Sequence, residues 1–352
     1  MSTKSLVLGT LALTFSACLV RADVHLQGAG ATFPAPFYSR LVAEYQKLHP
    51  DVKIDYQAIG SGGGIKAITD GTVDFAGSDA PLGKKELEAC GAENIVQIPS
   101  CAGAVVPAYN IPGVSAELKF TGEALADIFM GKINKWNDPR LVALNPTAGL
   151  PDLAITPAWR TDGSGTTYVW TNYLCTQSNS FKESIGAGKS VSWPLGQGGK
   201  GNQGVSAVLQ STTGSIGYIE ENYADENKIP YGSVKNKAGK FVKATPETVS
   251  KAGLSAAAQM KGSVLAANMW DGEGEETYPI ASLTYLIVYK DLKSVKTREQ
   301  AQEVVNFLWW ATHEGQKYAG KLNYAPLAPE MTKKVEEALA GLTFQGRPVK
   351  SL

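Results

Sequence analysis

Arg160-Thr-Asp-Gly-Ser-Gly-Thr166 places a cation, a carboxylate, hydroxyls and glycines in one short loop between an apolar strand-like run and a helix-like run. At a helix start the N–H groups of Ser164, Gly165 and Thr166 lack intrahelical partners and the macrodipole is positive, while Arg160 adds a fork of five N–H donors. This is the chemistry of an oxyanion site. Asp162 alone would repel an anion. In a bidentate bridge to Arg160 it instead holds the guanidinium flat and aimed.

Two other stretches share this character. In Gly28-Ala-Gly-Ala-Thr32-Phe33-Pro34, Thr32 precedes a helix carrying Pro34 and Pro36 in its first turn. Ile59-Gly-Ser61-Gly-Gly-Gly64 lies between the alternating strand Val52, Ile54, Tyr56 and a short helix containing Ile65 and Ile68. Three helix starts supply many donors and almost no acceptors, which suits a tetrahedral oxyanion.

Other chemistries fit the sequence poorly. In Gly196-Gln-Gly-Gly-Lys-Gly-Asn-Gln-Gly204, Lys200 is followed by Gly201 rather than Ser or Thr, and Pro194 stands where a phosphate loop needs its first glycine. This stretch reads as a mobile turn leading into a helix around Val205, Val208 and Leu209. His25, His49 and His313 form no HExxH arrangement and read as an N-terminal arm, a helix end and an exposed helix face. Ser164 lacks a G-x-S-x-G frame. No CxxC or Cys/His spacing marks a metal site, and no cofactor motif is present. Binding is therefore favoured over catalysis.

The elements that must position these loops alternate between the periods of strand and helix. Phe37, Leu41, Tyr45 and Leu48 form a helical stripe ended by His49-Pro50. A strand near Lys53, a helix near Ala67 and the strand Val73-Asp-Phe75 running into Ser78-Asp79 follow. Then come the apolar strand 102–109, the helix 122–130, the strand 154–159 and an amphipathic helix 167–174. This is an α/β pattern, in which ligands bind at the carboxyl ends of strands.

Residues 1–22 read as a secretory leader, with Lys4, an apolar run from Leu6 to Val20 and a small-residue cleavage signal at Val20-Arg-Ala22. A lipoprotein reading competes, because Phe15-Ser-Ala-Cys18 approximates a lipid-attachment box. The chain carries 33 basic and 33 acidic residues, and removal of Lys4 and Arg21 leaves a slight negative excess. Without a basic tract interleaved with aromatics, nucleic acid is a poor partner, and anion binding must come from fixed local donors. Cys90 and Cys101 could close a short disulfide loop, or Cys90, Cys101 and Cys175 could all be buried thiols.

The motifs Gly28-Ala-Gly-Ala-Thr-Phe-Pro-Ala-Pro36, Ile59-Gly-Ser-Gly-Gly, Asp74-Phe75 to Ser78-Asp79-Ala-Pro-Leu82, Gly131-Lys-Ile-Asn-Lys-Trp136, Arg160 to Thr166 and Gly198-Gly-Lys-Gly-Asn202 occur in one order. Together they closely resemble the periplasmic phosphate-binding proteins of high-affinity phosphate ABC transporters, from about Leu26 to the C-terminus. The resemblance implies a two-domain α/β binding protein of the Venus-flytrap type (type II), with discontinuous domains joined by two crossover strands near Val106 and Leu283. Residues 23–106 and 284–352 would form domain I, with Phe307, Leu308, Trp309 and Trp310 in a helix of its core, and residues 107–283 domain II. It also implies phosphate ligands at Thr32, Phe33, Ser61 and Asp79 on one wall and at Arg160, Asp162, Ser164, Gly165 and Thr166 on the other. Thr161 departs mildly from the family, which has Ala or a similar residue after the Arg.

By the same resemblance the protein would be a periplasmic, monomeric receptor that catalyses nothing and delivers phosphate to transmembrane permease subunits powered by an ATPase. Asp79, ionised, would accept the proton that phosphate carries near neutral pH, which sulfate cannot offer. The competing expectations are a receptor for another oxyanion and a secreted phosphatase or phosphotriesterase on the same fold.

Overall fold

A computed structural model describes residues 23–350. The leader, Cys18 and its lipid-attachment box lie outside the described residues. Among the described residues, no helix is long and apolar enough to cross a membrane.

The scaffold is one eight-stranded sheet. In chain order its strands are β1 (Val24–Gly30), β2 (Val52–Ala58), β3 (Phe75–Ser78), β4 (Ile95–Tyr109), β5 (Thr156–Arg160), β6 (Gln197–Gly199), β7 (Ser215–Glu220) and β8 (Ala281–Tyr289). Their spatial order is β2-β1-β3-β8-β4-β7-β5-β6. β1 pairs in parallel with β2 and β3, and β5 in parallel with β6 and β7. Between these parallel groups run β8 and β4, antiparallel to each other and to their outer neighbours.

β4 joins the two halves. Its 15 residues are buried throughout, as expected of a strand covered on both faces. Ile95–Ala104 pairs with β8, and Val105–Tyr109 pairs with β7. A bulge interrupts the ladder, because Thr284 faces Cys101 while Tyr285 faces Pro99, leaving Ser100 as the extra residue. The Ser100 hydroxyl donates to Thr284 O at 3.2 Å.

Five helices matter for the site. Helix α1 (Ala35–Leu48) is capped at Pro34, carries Pro36 in its first turn and buries Phe37, Leu41 and Tyr45. Leu48, expected on that stripe, is 62% exposed. Helix α2 (Ser61–Thr69) starts at Ser61 itself, so the glycine run forms its first turn rather than a loop before it. Helix α3 (Gly122–Phe129) matches the expected span and is capped by the Thr121 hydroxyl.

Helix α4 (Gly165–Gln177) is not amphipathic as expected. Val169, Trp170, Tyr173 and Leu174 are buried together with Thr166, Thr167 and Thr171. It is enclosed on several sides, with Trp170 stacked on Tyr218 of β7 and edge-on to Phe129 of α3. The stretch 196–204 is likewise not a turn. It forms β6 and the first turn of α5 (Gly201–Ser211).

The cysteines are free thiols, Cys90 and Cys101 buried and Cys175 half-buried, so the disulfide alternative gives way to buried small side chains. Phe307, Leu308 and Trp310 pack in the core on helix Arg298–Thr312, while Trp309 is partly buried and stacks on His313. His313 is half-buried, not exposed, and its imidazole meets Trp309 O and Glu336.

Candidate functional site

The chain reverses out of the carboxyl ends of β1, β2 and β3 at Thr32, Ser61 and Asp79, and out of β5 and β6 at Arg160 and Asn202. Because β8 and β4 lie between the two parallel groups, these ends form two walls that face each other. Thr32, Phe33, Ser61, Asp79, Arg160, Ser164 and Thr166 are all buried, with Asp79 at 2% and Arg160 at 4% exposure.

The walls touch through backbone. Gly62 N–H donates to Gly163 O at 2.8 Å, and Gly165 N–H donates to Ser61 Oγ at 3.1 Å. Gly60, at φ 90°, occupies the left-handed region, and a side chain there would collide with the Asp162 carboxylate opposite. At the rim, Lys189 Nζ donates to Glu86 Oε1 at 2.5 Å across the same seam. The two walls are in direct contact, with the residues between them buried.

Arg160 is aimed as expected. Its Nε donates to Asp162 Oδ1 at 2.8 Å and its Nη2 to Oδ2 at 2.5 Å, leaving Nη1 to reach Thr166 Oγ1 at 3.2 Å. Asp162 also accepts from Gly201 N–H at 2.9 Å. Burial alone would raise the Asp162 pKa. The Arg160 hydrogen bonds and charge, with Gly201, outweigh it and hold the carboxyl below its ordinary value. Asp162 is thus an anchored counter-charge.

Asp79 is different in kind. Ser61 Oγ donates to its Oδ2 at 3.3 Å and Thr284 Oγ1 donates to its Oδ1 at 2.8 Å. Burial pushes its pKa up to about 7, against the opposing pull of Thr284, Arg160 and Ser61. The site therefore contains one carboxyl that titrates near neutrality beside a fixed cation.

Ser164 caps α4 by accepting from Thr167 N–H at 3.0 Å. The N–H groups of Gly165 and Thr166 belong to the first turn of that helix and Ser61 N–H to the first turn of α2, where no intrahelical partner exists. The Phe33 ring is fully buried against Tyr324 and its carbonyl accepts from Tyr324 OH at 2.6 Å, so the ring is packing.

The structure adds residues that sequence reasoning did not single out. Thr284 comes from β8, where the bulge lies, and orients Asp79. Tyr218 OH accepts from Arg160 N–H at 3.1 Å. Asn202, within the glycine-rich stretch, donates to Thr32 and Thr166 on opposite walls. Glu220, fully buried, lies 3.0 Å from Tyr324 OH. The Tyr324 hydroxyl donates toward both Phe33 O and Glu220 Oε2, and burial pushes the Glu220 carboxyl well above its ordinary range.

None of the three histidines reaches this site. His25 pairs with Asp55, His49 stacks on Tyr45 and His313 meets Glu336.

Comparison with known proteins fits this geometry. A family model described as a PBP superfamily domain matches residues 19–312. The chain is 41% identical over 338 residues to the phosphate-binding protein PstS of Pasteurella multocida, covering 96% of this chain and 95% of that one. It is 40% identical over 312 residues to the PstS of Haemophilus influenzae, covering 88% and 91%. Among solved structures, a phosphate-binding protein from Stenotrophomonas maltophilia matches with a TM-score of 0.69 at 19% identity, over 91% of this chain and 95% of that one. A high-affinity periplasmic phosphate-binding protein bound with phosphate matches with a TM-score of 0.70 at 20% identity, over 89% and 93%. These structural likenesses share the two-domain type II fold. On the sequence matches, the chain belongs to the PBP superfamily and, within it, to the PstS family of phosphate-binding proteins.

Proposed function

We propose that this protein binds inorganic phosphate outside the cytoplasm, in the periplasm, and delivers it to the transmembrane permease subunits of an ABC-type phosphate transporter. The observation that carries this reading is the closed, buried meeting of helix starts, Arg160 and a near-neutral carboxyl. Fixed N–H and O–H donors suit an anion made of oxygens, and Asp79 suits one that shares a proton near neutral pH. The ligand set is Thr32, Phe33 through its N–H, Ser61, Asp79, Arg160, Asp162, Ser164, Gly165 and Thr166. Asp162 serves through Arg160, which it holds flat.

Binding without catalysis is supported by the phosphate-binding PstS relatives and by the Ser164 hydroxyl capping its own helix. Residues 23–106 with 284–352 form one domain and 107–283 the other, with β4 and β8 as crossovers, and the protein works as a monomer that opens and closes. The change of β4 partner between Ala104 and Val105 supports the first crossing. The periplasmic address rests on the leader-like residues 1–22.

The test is calorimetric titration of protein unfolded and refolded to strip it of ligand, with phosphate and with sulfate. Phosphate should bind tightly and reduce the radius of gyration in small-angle scattering, sulfate should bind far more weakly, and a chromogenic phosphate ester should release nothing. Tight sulfate binding, or ester turnover, would overturn the reading.

Arg160→Lys tests the geometry of the cation. A single ammonium cannot fork onto Asp162 and still present a donor beside Thr166. Phosphate affinity should fall by about 10- to 100-fold, the equivalent of losing one charge-assisted hydrogen bond. Wild-type affinity in titration would place Arg160 outside the site.

A further inference from the structure

We infer that Asn202, outside the proposed set of phosphate contacts, is a positioning residue that fixes the polarity of the site by forcing hydroxyls on both walls to donate. The inference rests on the phosphate-binding reading and deepens it.

The argument is proton accounting. A hydroxyl has one proton and two acceptor lone pairs. Thr32 Oγ1 accepts from Asn202 N–H at 3.1 Å and from Asn202 Nδ2 at 2.9 Å. Thr166 Oγ1 accepts from Arg160 Nη1 at 3.2 Å and from Asn202 Nδ2 at 3.3 Å. Both lone pairs of each oxygen are thereby engaged, and each O–H is left free only to donate. Ser61 Oγ also accepts twice, from Asp79 N–H at 3.2 Å and Gly165 N–H at 3.1 Å, but its own proton already goes to Asp79 Oδ2 at 3.3 Å. Two hydroxyls, one on each wall, are thus set to donate toward the ligand.

The amide of Asn202 cannot turn around. Its Oδ1 accepts from Glu220 N–H at 3.0 Å, so its NH₂ must face the two threonines. Its backbone is fixed as well, because it lies in the first turn of α5, with the Ser206 hydroxyl donating to its carbonyl at 2.9 Å. Asn202 is fully buried. Since Thr32 and Thr166 stand on opposite walls, one NH₂ group spans the seam, and parting of the walls would break its bond to Thr32. A phosphate oxygen accepts from such hydroxyls, whereas a ligand presenting N–H or O–H groups there would meet donors with no free lone pair. Asn202 therefore links closure to selection for a bare oxygen face.

The test uses Asn202→Asp in the full-length mature protein, with phosphate as the probe. The carboxylate keeps the shape and can still accept from Glu220 N–H, but it draws the protons of Thr32 and Thr166 toward itself and away from the ligand. Phosphate affinity should fall by about 100-fold or more. Charge repulsion alone could weaken binding, so the deciding readout is coupling to Thr166→Val. If Asn202 acts through the hydroxyl, Thr166→Val costs about tenfold in the wild type and almost nothing further beside Asn202→Asp. Additive losses, or wild-type affinity in Asn202→Asp, overturn the inference.

Asn202→Ala provides the same cycle without a new charge. It should lose about tenfold and show the same non-additivity with Thr166→Val. Should Asn202→Asp fail to fold, the alanine cycle decides alone. Failure of the wild type to bind phosphate would instead overturn the proposed function, which these cycles leave distinguishable.

Discussion

Asp79→Asn should admit sulfate. Thr284 Oγ1 donates to Asp79 Oδ1, so the introduced amide keeps its oxygen there and turns its NH₂ to the position of Oδ2, beside Ser61 in the proposed site. An acceptor that needs a shared proton becomes a donor that needs none. A site built around a ligand proton can reject an analogue lacking it by ~10⁴-fold, and most of that factor should vanish in the variant. Phosphate itself should change less. Losing the acceptor costs about 1 to 3 kcal/mol, while burial, which pushes the Asp79 pKa up to about 7, penalises the ionised carboxyl that the amide removes. The two effects act in opposite directions, so the phosphate-to-sulfate ratio is the observable to measure.

The same carboxyl predicts a pH signature. A raised acid pKa means that the closed form binds more protons than an open form in which Asp79 meets water. Its contribution therefore favours closing at low pH and is lost as pH rises from near 3.8 through about 7. Sulfate, fully ionised, must be met by a protonated Asp79, so its binding takes up a proton and weakens by about tenfold per pH unit in that window. Phosphate brings its own proton. Selectivity for phosphate should accordingly grow with pH in the wild type and stay flat in Asp79→Asn. Competitive titration from about pH 5 to about pH 7 measures both quantities. A variant that excludes sulfate as strongly as the wild type would remove Asp79 from the account of specificity.

The donor loops were legible in the sequence because their logic is local. Arg160 and Asp162 stand two residues apart, Ser164 caps the helix that follows, and glycine and hydroxyl residues crowd the starts of α2 and α4. The α/β alternation was legible because each strand and helix carries its own period. The partners of these loops were not. Thr284 meets Asp79 across 205 residues of chain, beside a bulge that only the pairing of β4 with β8 reveals. Asn202 was hidden by its neighbours, since a run of glycines normally signals a turn. Here Gly199 and Gly204 let strand β6 and helix α5 approach with no room for a side chain at Gly199, and that contact orders the segment. The misread face of α4 has a similar cause. A helix covered by α3 and β7 buries residues all round, so its polar Thr167 and Thr171 mark hydrogen bonds to Tyr218 and to helix carbonyls rather than a solvent side. The leader stays a reading of residues 1–22 alone.

Gly165→Ala should leave a folded receptor that cannot close. Gly165 opens helix α4 outside the positive-φ region, so alanine fits the backbone and is the better helix former by up to ~1 kcal/mol. The obstacle is across the seam. A Cβ on Gly165 would stand 2.5 Å from Asp79 Cβ and 2.6 Å from Ser61 Oγ, far inside the ~3.5 to 4.0 Å of a good contact. Neither neighbour can yield, because Ser61 and Asp79 are buried and bonded to each other and Asp79 is tied to Thr284. The walls must part by about 1 Å, and donors on the two sides then no longer converge on one ligand. Overpacking of this kind costs about 1 to 3 kcal/mol, and the bonds lost across the seam add to it, so phosphate affinity should fall by about 100-fold or more. Thermal unfolding of the ligand-free variant should stay at or above the wild-type midpoint, which separates a blocked closure from a damaged fold. Small-angle scattering at saturating phosphate should keep the larger radius of gyration. A variant that binds like the wild type and still compacts would show that the working closed form does not bring Gly165 against Ser61 and Asp79.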